Sequence, residues 1–185
     1  MLFDEFDPKE YVVNYTDNGK FHFIEGPDVQ IPKFKCTWGV TKAQYEGSPP
    51  RYYMDLDIHQ GERSDKFVDW LVRLEEHIKG FVKENEKMIF GKEGVDVNEM
   101  YKSIVNEDKF RIKVDKETVA KQKGRHEIVN VLDEGRMKNC SVVCMLRVKM
   151  LYFMNGSFGL SLTAPQVEFE ENVSPKKKIL FLNQY

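Results

Sequence analysis

Alternation of apolar and polar side chains marks several strands in this chain. Residues 51–59 show it best, because Met54 and Leu56 fall on one face while Asp55 and Asp57 fall on the other. This two-residue period is typical of a strand with one buried face. The same reasoning predicts strands over 11–15, 20–24, 33–40, 109–114, 128–131, 141–153 and 158–162.

The period changes after residue 64, where apolar residues recur at spacings of three and four. This pattern predicts an amphipathic helix over 65–86 with Ser64 as its N-cap. Asp96–Glu99 resembles a capping box and predicts a short helix that extends to Ile104. The apolar residues of the long helix are Phe67, Trp70, Leu71, Leu74, Ile78, Phe81 and Val82.

Many strands that do not alternate with helices predict a mainly β, α+β domain. An OB-type antiparallel β-barrel is the economical arrangement, because closing the sheet removes its edges. We expect a single domain over 1–185, with a long amphipathic helix and a short helix inserted between strands over 65–105. Residues 1–10 read as an acidic, flexible N-terminus, and 11–24 as a hairpin that turns at Asn18-Gly19.

The charge balance restricts how such a domain could bind nucleic acid. The chain has 28 basic and 30 acidic residues and a net charge of -2, so attraction to nucleic acid must come from a local basic face. The sequence has no apolar run long enough to span a membrane, so we expect no membrane partner. Three cysteines, an odd number, argue against a disulfide framework and predict an intracellular, reducing compartment.

Acidic residues on strand 51–59 raise an enzymatic alternative. Asp55, Asp57 and His59 share one face at a spacing of roughly 6.6 Å, so two carboxylates could hold magnesium for a nuclease with His59 as base. The sequence contains no nucleotide-binding or hydrolase motif, and we predict no cofactor and no catalytic activity. Cys140 and Cys144 lie roughly 13 Å apart on a strand, too far to share a metal, and are interpreted as core thiols.

Basic and aromatic residues on strands favour single-strand binding, which needs cations along the backbone and rings that stack on bases. Residues 116–124 are predicted as a basic loop, and Pro165 as the end of a strand or an edge position. A protein-interaction or virion module on the same barrel remains an alternative. The candidate nucleic-acid-binding residues are Lys33, Lys35, Trp38, Tyr53, Arg111, Lys113, Lys121, Lys123, Arg125, Arg147, Lys149, Tyr152, Phe153 and Phe158.

The order of elements over 33–170 resembles the OB-fold single-stranded DNA-binding proteins of phage T7 type and of large DNA viruses such as the chlorella viruses. The resemblance rests on the strand at 51–58, the helix, the basic strand at 109–113 and the hairpin at 155–162. It implies a non-catalytic role in viral DNA replication or recombination, in the host cytoplasm or nucleus. Replication proteins and a second copy of the chain remain open as partners.

The same resemblance implies that aromatic residues before the final hairpin stack on DNA, which here are Tyr152 and Phe153. It also implies phosphate contacts by Arg111, Lys113, Arg147 and Lys149. The family's acidic tail is not matched, because basic residues occupy 176–178. Counting from Val142 places Tyr152 in the core and Phe153 outside, and a bulge before the hairpin turn would reverse this.

Overall fold

The computed structural model describes residues 1–16, 20–58, 61–133 and 135–172. Its helices are α1 (Glu62–Glu84), α2 (Glu86–Phe90) and α3 (Val97–Met100). Its strands are β1 (Val12–Asn14), β2 (Phe21–Glu25), β3 (Val29–Gln30), β4 (Phe34–Cys36), β5 (Val40–Ala43), β6 (Arg51–Asp57), β7 (Tyr101–Lys102), β8 (Val105–Asn106), β9 (Lys109–Val114), β10 (Val119–Gln122), β11 (Ile128–Val129), β12 (Cys140–Met154) and β13 (Ser157–Glu171).

Five of these strands close into a barrel in the order β4, β6, β9, β13, β12, with β12 pairing back onto β4. β9 and β13 run parallel, while the other neighbours in the ring are antiparallel. In chain order the ring reads first, second, third, fifth, fourth, which is the arrangement of an OB barrel. The predicted mainly β barrel with one long helix is therefore confirmed.

The barrel interior is filled by the alternate residues of these strands, including Met54, Leu56, Ile112 and Leu146, all of which are fully buried. Helix α1 adds its apolar stripe to this core. The ring of Phe67 lies 5.5 Å from those of Phe34 and Phe110, measured between centroids. The helix spacing seen in the sequence thus identifies the face that packs on the barrel.

Helix α1 begins at Glu62 with Gly61 as its N-cap, so the prediction that Ser64 caps the helix is wrong. Ser64 lies buried inside the first turn, and its backbone N–H donates to the carbonyl of Gly61. Gly61 has a φ of 107°, which lets the chain turn sharply into the helix. Asp96 caps α3 as predicted, but that helix ends at Met100.

Residues 1–10 pack on helix α1 and do not form the loosely held tail that their acidic composition predicted. Phe3 is buried, with its ring 5.3 Å from that of Phe67. The indole N–H of Trp70 donates to the carbonyl of Phe6 at 2.9 Å. Two apolar residues three positions apart, Phe3 and Phe6, hold this segment on helix α1 despite the charged residues around them.

Two local predictions for the second half of the chain are wrong. The basic loop at 116–124 contains β10, which pairs in parallel with β13. Strand β13 also continues through Pro165 to Glu171. The pairing of β12 with β13 shifts register between Met145 and Arg147, and Pro165 is one of the two β13 residues in this bulge, where a missing backbone donor is tolerated.

The hairpin predicted over 11–24 is present as the antiparallel pair of β1 and β2. Its Asn18-Gly19 turn, His59 and the segment 173–185 lie outside the described residues. The three cysteines are buried and free, which agrees with the interpretation of Cys140 and Cys144 as core thiols. Within the part of the chain that is described, no helix is long and apolar enough to cross a bilayer.

Candidate nucleic-acid interface

Strand pairing brings several predicted binding residues onto one outer face of the barrel. Tyr53 of β6 pairs with Lys113 of β9, which pairs with Thr163 of β13. Thr163 pairs in turn with Arg147 of β12. Directly paired residues project from the same side of a sheet, so this row crosses four strands on one face. We call it the groove face.

Farther along β13 the groove face continues with small side chains and a tyrosine. Alternation puts Gly159, Ser161 and Thr163 on this face, while Leu160 points into the core. Tyr152 of β12 pairs directly with Gly159. These three small residues pair with longer side chains of the neighbouring strands.

Tyr152 lies over the backbone of the neighbouring strand. A Cβ atom placed at Gly159 would stand 2.8 Å from the Tyr152 hydroxyl oxygen and 3.2 Å from the Lys102 carbonyl oxygen. Partial burial raises the pKa of Tyr152, and the proximity of Tyr53 raises it further. The two tyrosines therefore belong to one surface, and Tyr152 has one side against β13.

The structure reverses the predicted orientations of Tyr152 and Phe153. A register shift between Val148 and Met150 makes Lys149 an extra residue in β12, so Leu151 becomes fully buried and Phe153 follows it inward. The expectation that Phe153 faces outward with Lys149 is wrong.

Phe153 and Phe158 belong to an aromatic cluster next to the core. Their rings stack with centroids 5.7 Å apart, and Phe90 lies 5.8 Å from Phe153. Phe158 is fully buried. The prediction that Phe158 contacts nucleic acid is contradicted by this burial, and both rings are occupied by protein neighbours.

Arginines of the groove face are held by carboxylates. The Arg111 guanidinium donates two hydrogen bonds to Asp55, at 2.7 and 2.9 Å, and lies 5.4 Å from the Tyr53 ring centroid. Arg147 donates in the same way to Asp28, at 2.8 and 2.7 Å. These bidentate pairs fix the arginines and neutralise part of their charge.

Two lysines of the same surface have no carboxylate partner in the described part of the chain. Among the described residues, neither Lys113 nor Lys149 has a carboxylate within 4.0 Å. Lys149 is exposed at the β12 bulge, and Lys113 is partly exposed beside Tyr53. These two lysines therefore contribute unpaired positive charge to the groove face.

Three other candidates lie at the opposite end of β13. Lys33 and Lys123 both contact Glu170, at 2.7 and 3.4 Å, and Lys121 contacts Glu168 at 3.7 Å. Glu170 is eleven positions from Gly159, or roughly 35 Å along an extended strand. The structure does not bring these lysines to the groove face.

Two of the remaining candidates lie farther along the same outer face, and the third lies elsewhere. Trp38 is 55% exposed, and the Lys109 ammonium lies 5.8 Å from its ring centroid. Lys35 is exposed and pairs with Asp57, which shares the outer face of β6 with Asp55 and Tyr53. Arg125 is exposed in the turn after β10.

Sequence reasoning missed two phenylalanines next to the groove face. Phe21 pairs with Tyr152, and Phe23 pairs with Met150, which places both rings on the Tyr152 side of the sheet. The opposite face of this strand, which carries His22 and Ile24, is buried. The alternation in the sequence was visible, but it could not tell which face is exposed.

The carboxylates of the nuclease alternative have protein partners. Asp55 is bound by Arg111, and Asp57 accepts a hydrogen bond of 2.6 Å from the Thr37 hydroxyl. Within the described ranges, no group of three or more His, Cys, Asp or Glu side chains is placed to hold a metal. Burial raises the pKa of the Cys36 thiol to about 12, which makes it a poor nucleophile.

No protein-family model and no curated protein matches the sequence. Solved structures do match. The single-stranded DNA-binding protein from bacteriophage Enc34 in complex with ssDNA has 13% identity and a TM-score of 0.54, over 90% of this chain and 99% of that one.

Two further structures of the Enc34 protein match. Without DNA it has 12% identity and a TM-score of 0.53, over 92% of this chain and 95% of that one. Its C-terminal truncation has 11% identity and a TM-score of 0.54, over 90% and 98%. At such identities the likeness shows a shared OB-type fold, and the phage T7 and chlorella virus types are not distinguished by it.

Proposed function

We propose that this chain binds single-stranded DNA on the groove face and carries out no catalysis. The observation that carries the proposal is that strand pairing places aromatic and basic side chains together on one outer face. Bases would stack on the tyrosines while the cations contact phosphates. The residues of this site are Tyr53, Lys113, Arg147, Lys149, Tyr152, Gly159, Ser161 and Thr163.

The charge arrangement supports a binding mode that depends on stacking more than on charge. With a net charge of -2 the chain has no general attraction to DNA, and Arg111 and Arg147 are already paired. Of the lysines without a carboxylate partner among the described residues, Lys113 and Lys149 together would contribute about -1.4 to the salt slope, at roughly 0.7 per phosphate for single strands.

Likeness to a phage single-stranded DNA-binding protein supports a role in viral DNA replication or recombination. A protein of this kind would cover exposed single strands and present them to replication proteins. Nothing in this role needs the acidic pair Asp55 and Asp57 as metal ligands. Their partners Arg111 and Thr37 fit a binding surface better than a nuclease centre.

A fluorescence anisotropy titration with labelled oligo-dT tests the proposal. Tyr152→Ala should weaken binding by roughly 1–3 kcal/mol because a stacking ring is lost. Ile128→Ala is a matched control, since Ile128 is 67% exposed on β11, away from the groove face. Binding that is equal in wild type and Tyr152→Ala would show that this face is not the site.

A further inference from the structure

The hairpin of β1 and β2 lies outside the closed barrel but continues its sheet. β2 adds to the free side of β12 through Phe21↔Tyr152 and Phe23↔Met150. Met150 pairs on its other side with Ser161 of the groove face. The groove face therefore extends without a break onto β2.

The two sides of β2 differ in what covers them. His22 and Ile24 are buried on the inner side, whereas Phe23 is 48% exposed on the outer side. The Phe21 ring packs edge-on against Phe23, with centroids 5.4 Å apart and an angle of 76° between the planes. Phe21 therefore supports the Phe23 ring on one side, and a large part of the Phe23 surface remains exposed to water.

We propose that Phe23 forms an added base-stacking subsite, so that the hairpin lengthens the stretch of DNA the protein covers. The inference rests on the proposed function of the groove face. Phe23 is the diagonal neighbour of Tyr152 across the β2–β12 pair, a separation of roughly 7–8 Å between backbones. Two rings at this spacing can stack on nearby bases of one strand.

The surroundings of Phe23 favour a strand of nucleic acid over a purely apolar partner. Lys149 is exposed at the bulge next to Met150, which is the β12 partner of Phe23. On the β1 side, Asn14 pairs with Phe23 and donates a hydrogen bond to Glu25, so polar groups lie on both sides of the ring. A single strand offers both a base for the ring and a phosphate for the lysine.

The test uses the full chain and two variants, Phe23→Ala and Phe23→Leu. Phe23→Leu keeps an apolar side chain but removes the π-face, so it separates stacking from folding. For oligo-dT, both should weaken binding by roughly 5- to 150-fold, the equivalent of 1–3 kcal/mol. The number of nucleotides covered per protein, measured by titration on long oligo-dT, should also fall. Ile128→Ala should match wild type in both measurements.

The outcomes separate this inference from the proposed function. If Tyr152→Ala loses affinity while both Phe23 variants bind as wild type does, the subsite is wrong and the groove face stands. If wild type does not bind oligo-dT, the proposed function itself fails. Sedimentation velocity adds one more arm, because a Phe23 variant that changes only self-association would make this face a contact between copies and overturn the subsite.

Discussion

Tyr152 and Gly159 face each other across the pair of β12 and β13, and the tyrosine ring occupies the space that a side chain at 159 would need. The ideal Cβ position at Gly159 is 2.8 Å from the Tyr152 hydroxyl oxygen and 3.0 Å from Cζ. The glycine therefore sets how close the ring lies to the sheet. Because Tyr152 is a proposed stacking residue, this contact connects backbone packing with DNA binding.

Gly159→Ala should displace Tyr152 and tighten the contact with the Lys102 carbonyl, which is 3.2 Å from the new Cβ. We expect a loss of about 1–3 kcal/mol in unfolding free energy, as for other overpacked sites. Oligo-dT affinity should fall as well. Gly80→Ala is the control, because that helical glycine has open space around it, and it should stabilise by about 0.5–1 kcal/mol.

A double-mutant cycle shows whether the glycine acts through the tyrosine. In Tyr152→Ala, adding Gly159→Ala should cost much less stability than it does in wild type, because the clashing ring is absent. Urea unfolding of the four proteins measures this. Strictly additive effects would mean that the two residues do not interact as described.

Phe158→Ala should cost about 3–5 kcal/mol in unfolding free energy, since Phe158 is fully buried and stacks on Phe153. Phe153→Ala should also lower stability, while variants that remain folded should bind oligo-dT with little change. Thermal melting combined with DNA titration checks both. If Phe153→Ala were stable but bound DNA weakly, the strand register inferred from the sequence would be right and the one described here wrong.

Asp55→Asn should strengthen DNA binding, because it releases Arg111 from its bidentate carboxylate. An added charge contact of roughly 1 kcal/mol corresponds to about fivefold at low salt. The salt slope should steepen by about 0.7. Glu170→Gln is the matched control, since it releases Lys33 and Lys123 at the far end of β13. If Asp55→Asn bound oligo-dT more weakly than wild type does, the charge arrangement described for the groove face would be wrong.

His22 makes stability depend on pH. Its side chain is buried between the Tyr15 and Phe153 rings, and this burial lowers its pKa below 6.5. Below about pH 6.5 the unfolded chain takes up a proton that the folded state resists, so unfolding free energy should fall with pH. Urea unfolding between pH 8 and 5 should show the fall, and His22→Phe should reduce it. An unchanged profile in that variant would assign the effect to other groups.

The barrel could be predicted from sequence where one strand face is clearly polar. β6 and β9 each alternate buried apolar residues with Asp, Arg or Lys, and the structure keeps that pattern. Prediction failed where both faces are apolar. At the end of β12, one extra residue at Lys149 exchanges the faces of Tyr152 and Phe153, and composition alone gives no sign of it.

The charge pattern of the site could not be predicted from the sequence either. The Arg147–Asp28 pair joins residues 119 positions apart, and the Arg111–Asp55 pair joins residues 56 apart. Local periodicity identified the arginines as outward-facing but could not reveal the carboxylates opposite them. Parallel pairing of β10 with β13 was likewise invisible, because it depends on which strands the closed barrel brings together.

A salt titration of oligo-dT binding is the sharpest test of the proposal that the groove face binds single-stranded DNA. Wild-type protein should bind single-stranded oligo-dT at low salt, and Lys113 and Lys149 together should contribute about -1.4 to the log–log slope. Lys113→Ala and Lys149→Ala should each reduce the magnitude of that slope by about 0.7, whereas Lys121→Ala should leave it unchanged. The absence of oligo-dT binding at low salt would contradict the account.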